Sequence, residues 1–285
     1  MSKRLTEAEV AAYHENGIHY PLRVMSSEDA DRLAQRFQDN GDIIKGRLNQ
    51  KPHLLFPWLD QMIRDPRILD AVEDVLGPDI WCWGSQFFAK PAGGDAYTSW
   101  HQDGTYWGLS STDIVTAWVA LTPSTKESGC LQVVPGTHRS QVPHEDKFEE
   151  SNMLSRGQEI AVEVDPATIV DVELQPGEMS LHHVLLFHGS ERNRAKLPRV
   201  GFAIRYVATH VKQMSPHRET AMLVRGMDRY GHFDREVAPE SEMHPDAVAR
   251  HEAIVDNQLK ILYAGASQAG KLGPAPTDAR RDSAM

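Results

Sequence analysis

His101 and Asp103 stand two residues apart in the segment Ser99-Trp100-His101-Gln102-Asp103-Gly104-Thr105. In an extended strand, side chains at i and i+2 project from one face. An imidazole and a carboxylate aimed at one point are two donors of a facial metal site. A second histidine would complete a two-histidine, one-carboxylate set, which leaves three positions of an octahedral iron(II) open. Alone the pair says little, because a chain with 14 histidines and 40 acidic residues produces such pairs by chance. Its weight comes from residues further along.

The segment Leu181-His182-His183-Val184-Leu185-Leu186-Phe187-His188-Gly189-Ser190 offers three histidines, any of which could instead be a hydrogen-bonded core residue. Alternation does not choose, since His182 and His188 share a face of a straight strand. The following strand does. Arg199 opens the run Arg199 to Tyr206, and a short turn over Asn193 to Pro198 would lay it beside His188. A guanidinium at the base of an apolar pocket holds a carboxylate through two parallel hydrogen bonds. An oxidative iron site needs such an anchor for a dicarboxylate co-substrate, and His188 with Arg199 fits that geometry.

The elements that must position these residues are legible as patterns. Thr6-Glu7-Ala8-Glu9 reads as a capping box opening a helix to about Asn16, which Gly17 stops. Ile18 to Val24 alternates as a strand, and Ser26 caps a second helix with Ala30, Leu33, Ala34 and Phe37 on one face. Gly41 to Pro52 is polar loop, and Pro66 divides Leu59 to Leu76 into two helical pieces ending at Gly77-Pro78. From Ile80 onward the pattern is short strands between Pro and Gly turns: 80–90, 98–102, 114–121, 128–134, 160–164, 170–174, 179–188 and 200–207. This predicts a mainly β protein with flanking helices, its core a barrel or double-sheet jelly roll. One domain is expected over 1–264, with a helical part at 1–78 and the β core at 79–210. Glu240 to Tyr263 reads as a helix or helical pair, and 265–285 as a flexible tail.

Gln86, Phe88 and Lys90 alternate and so share the face expected to meet the pocket, Gln86 at the co-substrate and Phe88 and Lys90 at the substrate. A solvated strand end is the alternative for Lys90. Trp81, Trp83, Trp100, Tyr106 and Trp107 cluster around the same strands, mostly as core. Tyr106 and Trp107 are the candidates for a wall against the substrate or a cage for a substrate cation, with His182 turned to the same pocket.

Thirty basic against 40 acidic residues leave a net charge of −10, spread along the chain, which argues against nucleic acid and anionic membranes as partners. Cys82 and Cys130 are too few for a disulfide framework and suggest a reducing compartment. The first residues lead into acidic, helix-forming sequence rather than a signal peptide, and no apolar run approaches bilayer length. The expectation is a cytoplasmic protein acting on a small molecule.

These residues resemble the phytanoyl-CoA dioxygenase family of iron(II)/2-oxoglutarate-dependent oxygenases. The resemblance lies in His101-Gln102-Asp103, Trp118-Val119-Ala120-Leu121, and Ser128-Gly129-Cys130-Leu131 through Pro135-Gly136-Thr137-His138. It continues in His188-Gly189-Ser190 with Asn193, and in Arg199 eleven residues past the histidine. It runs from about residue 5 to 210. It implies a double-stranded β-helix (jelly-roll, cupin-like) core, iron(II) on His101, Asp103 and His188, and 2-oxoglutarate and dioxygen as co-substrates. Arg199 would bind the distal carboxylate of 2-oxoglutarate with Ser190 as partner, and Trp118 and Thr116 would line that pocket.

The reaction implied is hydroxylation of an unactivated C–H bond, with release of succinate and carbon dioxide. Halogenating members replace the carboxylate ligand by a small residue, and Asp103 argues against that chemistry here. A desaturation or cyclisation would use the same site, and a non-catalytic jelly roll would not need all the ligands and the anchor. The acidic balance offers no basic patch for the phosphates of an acyl-CoA. The expected substrate is a small polar or zwitterionic metabolite (amino acid, amine or aminophosphonate), with a natural-product intermediate as the alternative. The pocket loops are expected within 41–57, 106–113, 142–158 and 212–235.

Overall fold

Thr6 opens the first helix with a reciprocal cap. Its Oγ1 accepts from the backbone N–H of Glu9 at 3.3 Å, while Glu9 Oε2 accepts from the backbone N–H of Thr6 at 2.7 Å. The computed structural model of the protein describes residues 3–267 and 271–272. α1 (Glu7–Asn16) ends at Gly17, left-handed at φ 76°, where a Cβ would also strike His138. β1 (Ile18–Arg23) and α2 (Ser27–Asp39) follow. α3 (Pro57–Ile63) and α4 (Pro66–Leu76) each start on proline, tolerated there because the first helical N–H has no intrahelical partner.

The strands are β2 (Ile80–Lys90), β3 (Thr98–His101), β4 (Ile114–Ala120), β5 (Leu131–Val134), β6 (His144–Asp146) and β7 (Gln158–Ile160). They continue with β8 (Val170–Val172), β9 (Glu178–His183), β10 (Phe187–Ser190), β11 (Arg199–Ala208), β12 (Thr220–Arg225) and β13 (Asp234–Arg235), before α5 (Pro245–Leu262). The major sheet runs β1-β9-β4-β11-β2-β12-β13 and the minor sheet β3-β10-β5-β8, with β6 and β7 paired apart. This is a jelly-roll core with helices on one side.

Burial explains the layering. Every residue of β4 is buried, because both faces of this central strand are covered. Val115, Ala117 and Val119 meet Leu59, Ile63, Ile68 and Val72 of the helices. Trp118 and Ala120 face inward, toward Leu131, Val133 and Val172 of the minor sheet. The helical layer therefore closes the back of the major sheet and leaves its front for the site.

β2 carries one irregularity. Arg205 opposes Gly84 and Tyr206 opposes Cys82, so Trp83 is an extra residue, a β-bulge. Cys82 and Phe87 join the core under the helices, whereas Trp83 and Trp81 join a cluster on the other face. Gly84, Gln86 and Phe88 line a cavity on that same face as Trp83, so alternation restarts at the bulge.

Several expectations need correction. The run 179–188 is not one strand: the chain turns at 184–186, so β9 lies in the major sheet and β10 in the minor one. Asn193 to Pro198 accordingly does not lay β11 beside His188; β11 pairs with β2 and β4. β3 pairs with β10. The strand expected at 160–164 ends at Ile160 and pairs with β6, which the polar sequence around His144 concealed. Glu240 to Tyr263 holds one helix, α5. Of the tail read as flexible, residues 268–270 and 273–285 lie outside the described residues.

Candidate functional site

β3 ends at His101, Gln102 continues extended (φ −116°, ψ 131°), and Asp103 begins a single helical turn to Tyr106. β10 pairs antiparallel with β3 so that His188 lies opposite His101, their ring centroids 4.0 Å apart. His101 Nδ1 is 2.8 Å from the Ser99 carbonyl and His188 Nδ1 is 2.9 Å from the Leu186 carbonyl. A carbonyl only accepts, so each Nδ1 carries the proton and each Nε2 presents a lone pair. These Nε2 atoms converge on Asp103 Oδ1, at 3.5 Å from His101 and 3.9 Å from His188. One donor atom from each of the three residues lies within 4.8 Å of the others. Thr116 Oγ1 donates to Asp103 Oδ2 at 3.3 Å.

The electrostatics suit a divalent cation. Burial would raise the Asp103 carboxyl, and the nearby Arg205 charge with the Thr116 Oγ1 hydrogen bond opposes it in favour of the ionised form. Burial, with His101 beside it, pushes His188 well below the usual imidazole value. Two imidazoles that present Nε2 and a carboxylate, all three buried and converging on one point, fit iron(II).

Next to this triad is a narrow inner cavity of about 40 Å³, lined among others by Thr116, Trp118, His182, Ser190, Arg199 and Arg205. Arg199 reaches it from the major sheet, opposite the histidines. Its Nη1 donates to the Gly129 carbonyl at 2.7 Å and its Nη2 to the Phe88 carbonyl at 3.4 Å, while its buried Nε has no partner among the described residues. The guanidinium lies 5.2 Å from the Trp118 ring, and burial lowers it to about 10. That buried N–H is left free to donate. Lys90 is fully buried rather than a solvated strand end. Its Nζ donates to Ser190 Oγ at 2.7 Å, to the Gly129 carbonyl at 3.4 Å and to the Glu191 carbonyl, and burial followed by the Arg199 charge lowers it to about 6.

A larger outer cavity of about 280 Å³ opens beyond, sharing Phe88, Asp103 and Arg205 with the inner one. All four expected pocket loops reach it, through Gln50, Tyr106, Leu154 and Glu219 among others, and α5 adds Gln258 and Ile261. Gln86, expected at the co-substrate, lines the outer cavity instead, together with Phe88, Tyr106 and Trp107. His182 lines the inner one, and Lys90, expected at the substrate, lines neither, because its side chain turns to Ser190. The aromatic residues are not an empty cage. Arg205 lies 5.4 Å from Trp107 and 5.9 Å from Phe88, and Arg156 lies 4.0 Å from Tyr106.

Sequence reasoning passed over Gln102, which stands between two ligand positions. Its Nε2 donates to the carbonyls of Leu185 and Ser140 at 2.7 and 2.9 Å, and its Oε1 accepts from the Val142 N–H at 2.9 Å. Its backbone N–H donates to His144 Nε2 at 2.9 Å. It also passed over Glu219, a carboxylate 2% exposed at the outer cavity. The signal for Gln102 was its place in the motif; for Glu219 no local pattern existed.

A model of the family described as phytanoyl-CoA dioxygenase matches residues 3–201. A probable alpha-ketoglutarate-dependent hypophosphite dioxygenase of Stutzerimonas stutzeri is 28% identical over 204 residues, covering 70% of this chain and 71% of that protein. The human peroxisomal phytanoyl-CoA dioxygenase is 32% identical over 136 residues, covering 46% of this chain and 40% of the relative. Among solved structures, the non-heme monooxygenase ThoJ in its apo form superposes with a TM-score of 0.80 at 32% identity, covering 90% of this chain and 97% of that one. CytC3 with Fe(II) and alpha-ketoglutarate gives 0.64 at 26% identity, covering 85% and 96%. Fold and relatives define an iron(II)- and 2-oxoglutarate-dependent dioxygenase, with those two as its cofactor and co-substrate. The chain belongs to the phytanoyl-CoA dioxygenase family.

Proposed function

We propose that the protein hydroxylates an unactivated C–H bond of a small polar or zwitterionic metabolite of amino acid, amine or aminophosphonate type. In this reading His101, Asp103 and His188 hold the iron and Arg199 anchors 2-oxoglutarate. The observation that carries it is one arrangement: two histidine lone pairs and a carboxylate converge beside a buried guanidinium with an unused N–H. Bound there, iron(II) with 2-oxoglutarate and dioxygen supplies an oxidant that inserts one oxygen atom into the C–H bond, the other leaving in succinate as carbon dioxide is released.

The chain's own residues do the rest. The Ser99 and Leu186 carbonyls fix both histidine tautomers, and Thr116 orients Asp103. Arg199 holds a carboxylate, with Ser190 and Lys90 beside it, and Trp118 walls the inner cavity against water. The outer cavity, mixing charged and aromatic walls, supports a small charged substrate. Relatives are named for hypophosphite, phytanoyl-CoA and ectoine, so family membership leaves the substrate open.

The same reading takes 1–264 as one oxygenase domain working in the cytoplasm without nucleic-acid or membrane partners. The two buried free cysteines and the net charge of −10 support it. No described helix is long and apolar enough to cross a membrane. The test is an oxygen-free iron titration followed by 2-oxoglutarate, then a succinate-release screen over small metabolites. A visible charge-transfer band and succinate release with one substrate class are expected. Folded, iron-loaded protein that gives neither would overturn the reading.

A further inference from the structure

Two charged groups of opposite sign face the outer cavity with unused hydrogen-bonding capacity. Arg205 lines both cavities, and its guanidinium makes no hydrogen bond or ion pair with any described residue; its Nε is buried and orphaned. The faces of Trp107 and Phe88 orient it without satisfying its N–H groups. Glu219 directs Oε2 at Trp83 Nε1, 2.8 Å away, and at Gln213 Nε2, 2.7 Å away. Its Oε1 accepts from no described residue. The ring centroids of Trp83 and Trp107 lie 4.8 Å apart, the planes tilted by 37°. Guanidinium, tryptophan pair and carboxylate therefore form one chain of contacts along the cavity wall.

Neither Arg205 nor Glu219 makes a direct ion pair with a described residue. Beside Glu219, the buried Glu236 claims Lys51, whose Nζ donates to Glu236 Oε1 at 2.7 Å and to the Thr220 carbonyl at 2.9 Å. Two carboxylates thus share one ammonium. Burial raises the Glu219 carboxyl, with Lys51 opposing, and a cation against Oε1 would favour its ionised form. The carboxylate whose charge acts on Arg205 is Asp103, which in the functional reading is committed to iron. Buried charges without partners are costly, and a ligand that brings both counter-charges relieves both.

Resting on the functional reading above, we propose that the outer cavity selects a zwitterion, its carboxylate or phosphonate paired with Arg205 beside the metal triad and its ammonium paired with Glu219. The apolar middle of such a molecule lies along the Trp83–Trp107 pair.

The experiment uses iron(II)-loaded protein with 2-oxoglutarate, kept free of oxygen. γ-Aminobutanoate, ε-aminohexanoate and ω-aminooctanoate are titrated in, alongside hexanoate and hexylamine, and binding is read by calorimetry and by the change in the visible band. The best amino acid is expected to bind at least about tenfold tighter than either singly charged probe. Glu219→Gln, which keeps the shape, should abolish the advantage over hexanoate while the 2-oxoglutarate band persists. Arg205→Gln should abolish the advantage over hexylamine, and Arg205→Lys should restore part of it. Three outcomes overturn the inference and leave the functional reading standing: a singly charged probe binding as well, no binding by any of the amino acids, or an unchanged preference in Glu219→Gln. If 2-oxoglutarate itself gives no band on the iron-loaded protein, the functional reading fails and this inference falls with it.

Discussion

The indole of Trp118 on β4 occupies the space that a side chain on Gly201 of β11 would need. Gly201→Ala must therefore displace the ring that faces Arg199. Overpacking of this kind costs about 1–3 kcal/mol, and the 2-oxoglutarate requirement should rise roughly tenfold as the pocket wall shifts. Melting curves and a 2-oxoglutarate titration of the iron-loaded protein check it. Wild-type values in both would mean that the indole moves aside freely.

Arg199→Ala should leave iron binding near normal, because the three ligand residues are untouched. Losing a buried bidentate partner should weaken 2-oxoglutarate by about 2–5 kcal/mol, roughly thirty-fold to several thousand-fold. Arg199→Lys should recover only part, since an ammonium cannot reproduce the guanidinium fork. Arg205→Ala should disturb the primary substrate far more than 2-oxoglutarate. The opposite pattern, with Arg205 controlling 2-oxoglutarate, would exchange the roles of the two arginines.

Gln102 fastens the segment between His101 and Asp103 to the chain around Leu185 and Val142. Gln102→Leu keeps most of the volume and removes these bonds. Groups that orient metal ligands are worth roughly 10–100-fold in affinity. An iron titration without oxygen should show a loss in that range. Unchanged affinity would mean that backbone geometry alone holds the ligands.

Glu236 titrates at about 2: burial raises it, and the Lys51 ammonium followed by His53 more than offsets that. A lowered carboxyl stabilises the fold above its ordinary value of 4.5 and loses that contribution as pH falls toward 2. Lys51→Met leaves the carboxylate buried without its cation and should cost about 3–5 kcal/mol at neutral pH. The variant's carboxyl then prefers its proton, so the gap to the wild type should narrow as pH drops below 4.5. Denaturant unfolding across a pH series measures it. A gap independent of pH would remove Lys51 from the account.

Legibility followed locality. The cap at Thr6, the break at Pro66 and the full extent of β2 were readable because each signal lies within a few residues of its effect. Sheet partnership was not. A run as uniformly apolar as 184–187 shows no break, yet there the chain passes from one sheet to the other. Arg199 faces the same cavity as His188, but from the opposite sheet rather than from the adjacent strand expected. His101 and Asp103 stood out because their types and spacing are themselves the chemistry. Glu219 gains meaning only from a partner it lacks, and a missing partner leaves no trace in a one-dimensional pattern.

Because Trp83 is an inserted residue, β2 carries two phases of in-and-out alternation on one continuous backbone. Downstream of it, Gln86, Phe88 and Lys90 keep step with the end of the strand that pairs with Arg199. Upstream, Trp81 and Trp83 join one buried cluster, from which Trp83 Nε1 donates to Glu219. The insertion decouples the two halves much as a clutch separates two gears on a shaft. A change at or before Trp83 therefore shifts side chains on the tryptophan side of the strand and leaves Gln86, Phe88 and Lys90 in register with Ala203, Gly201 and Arg199.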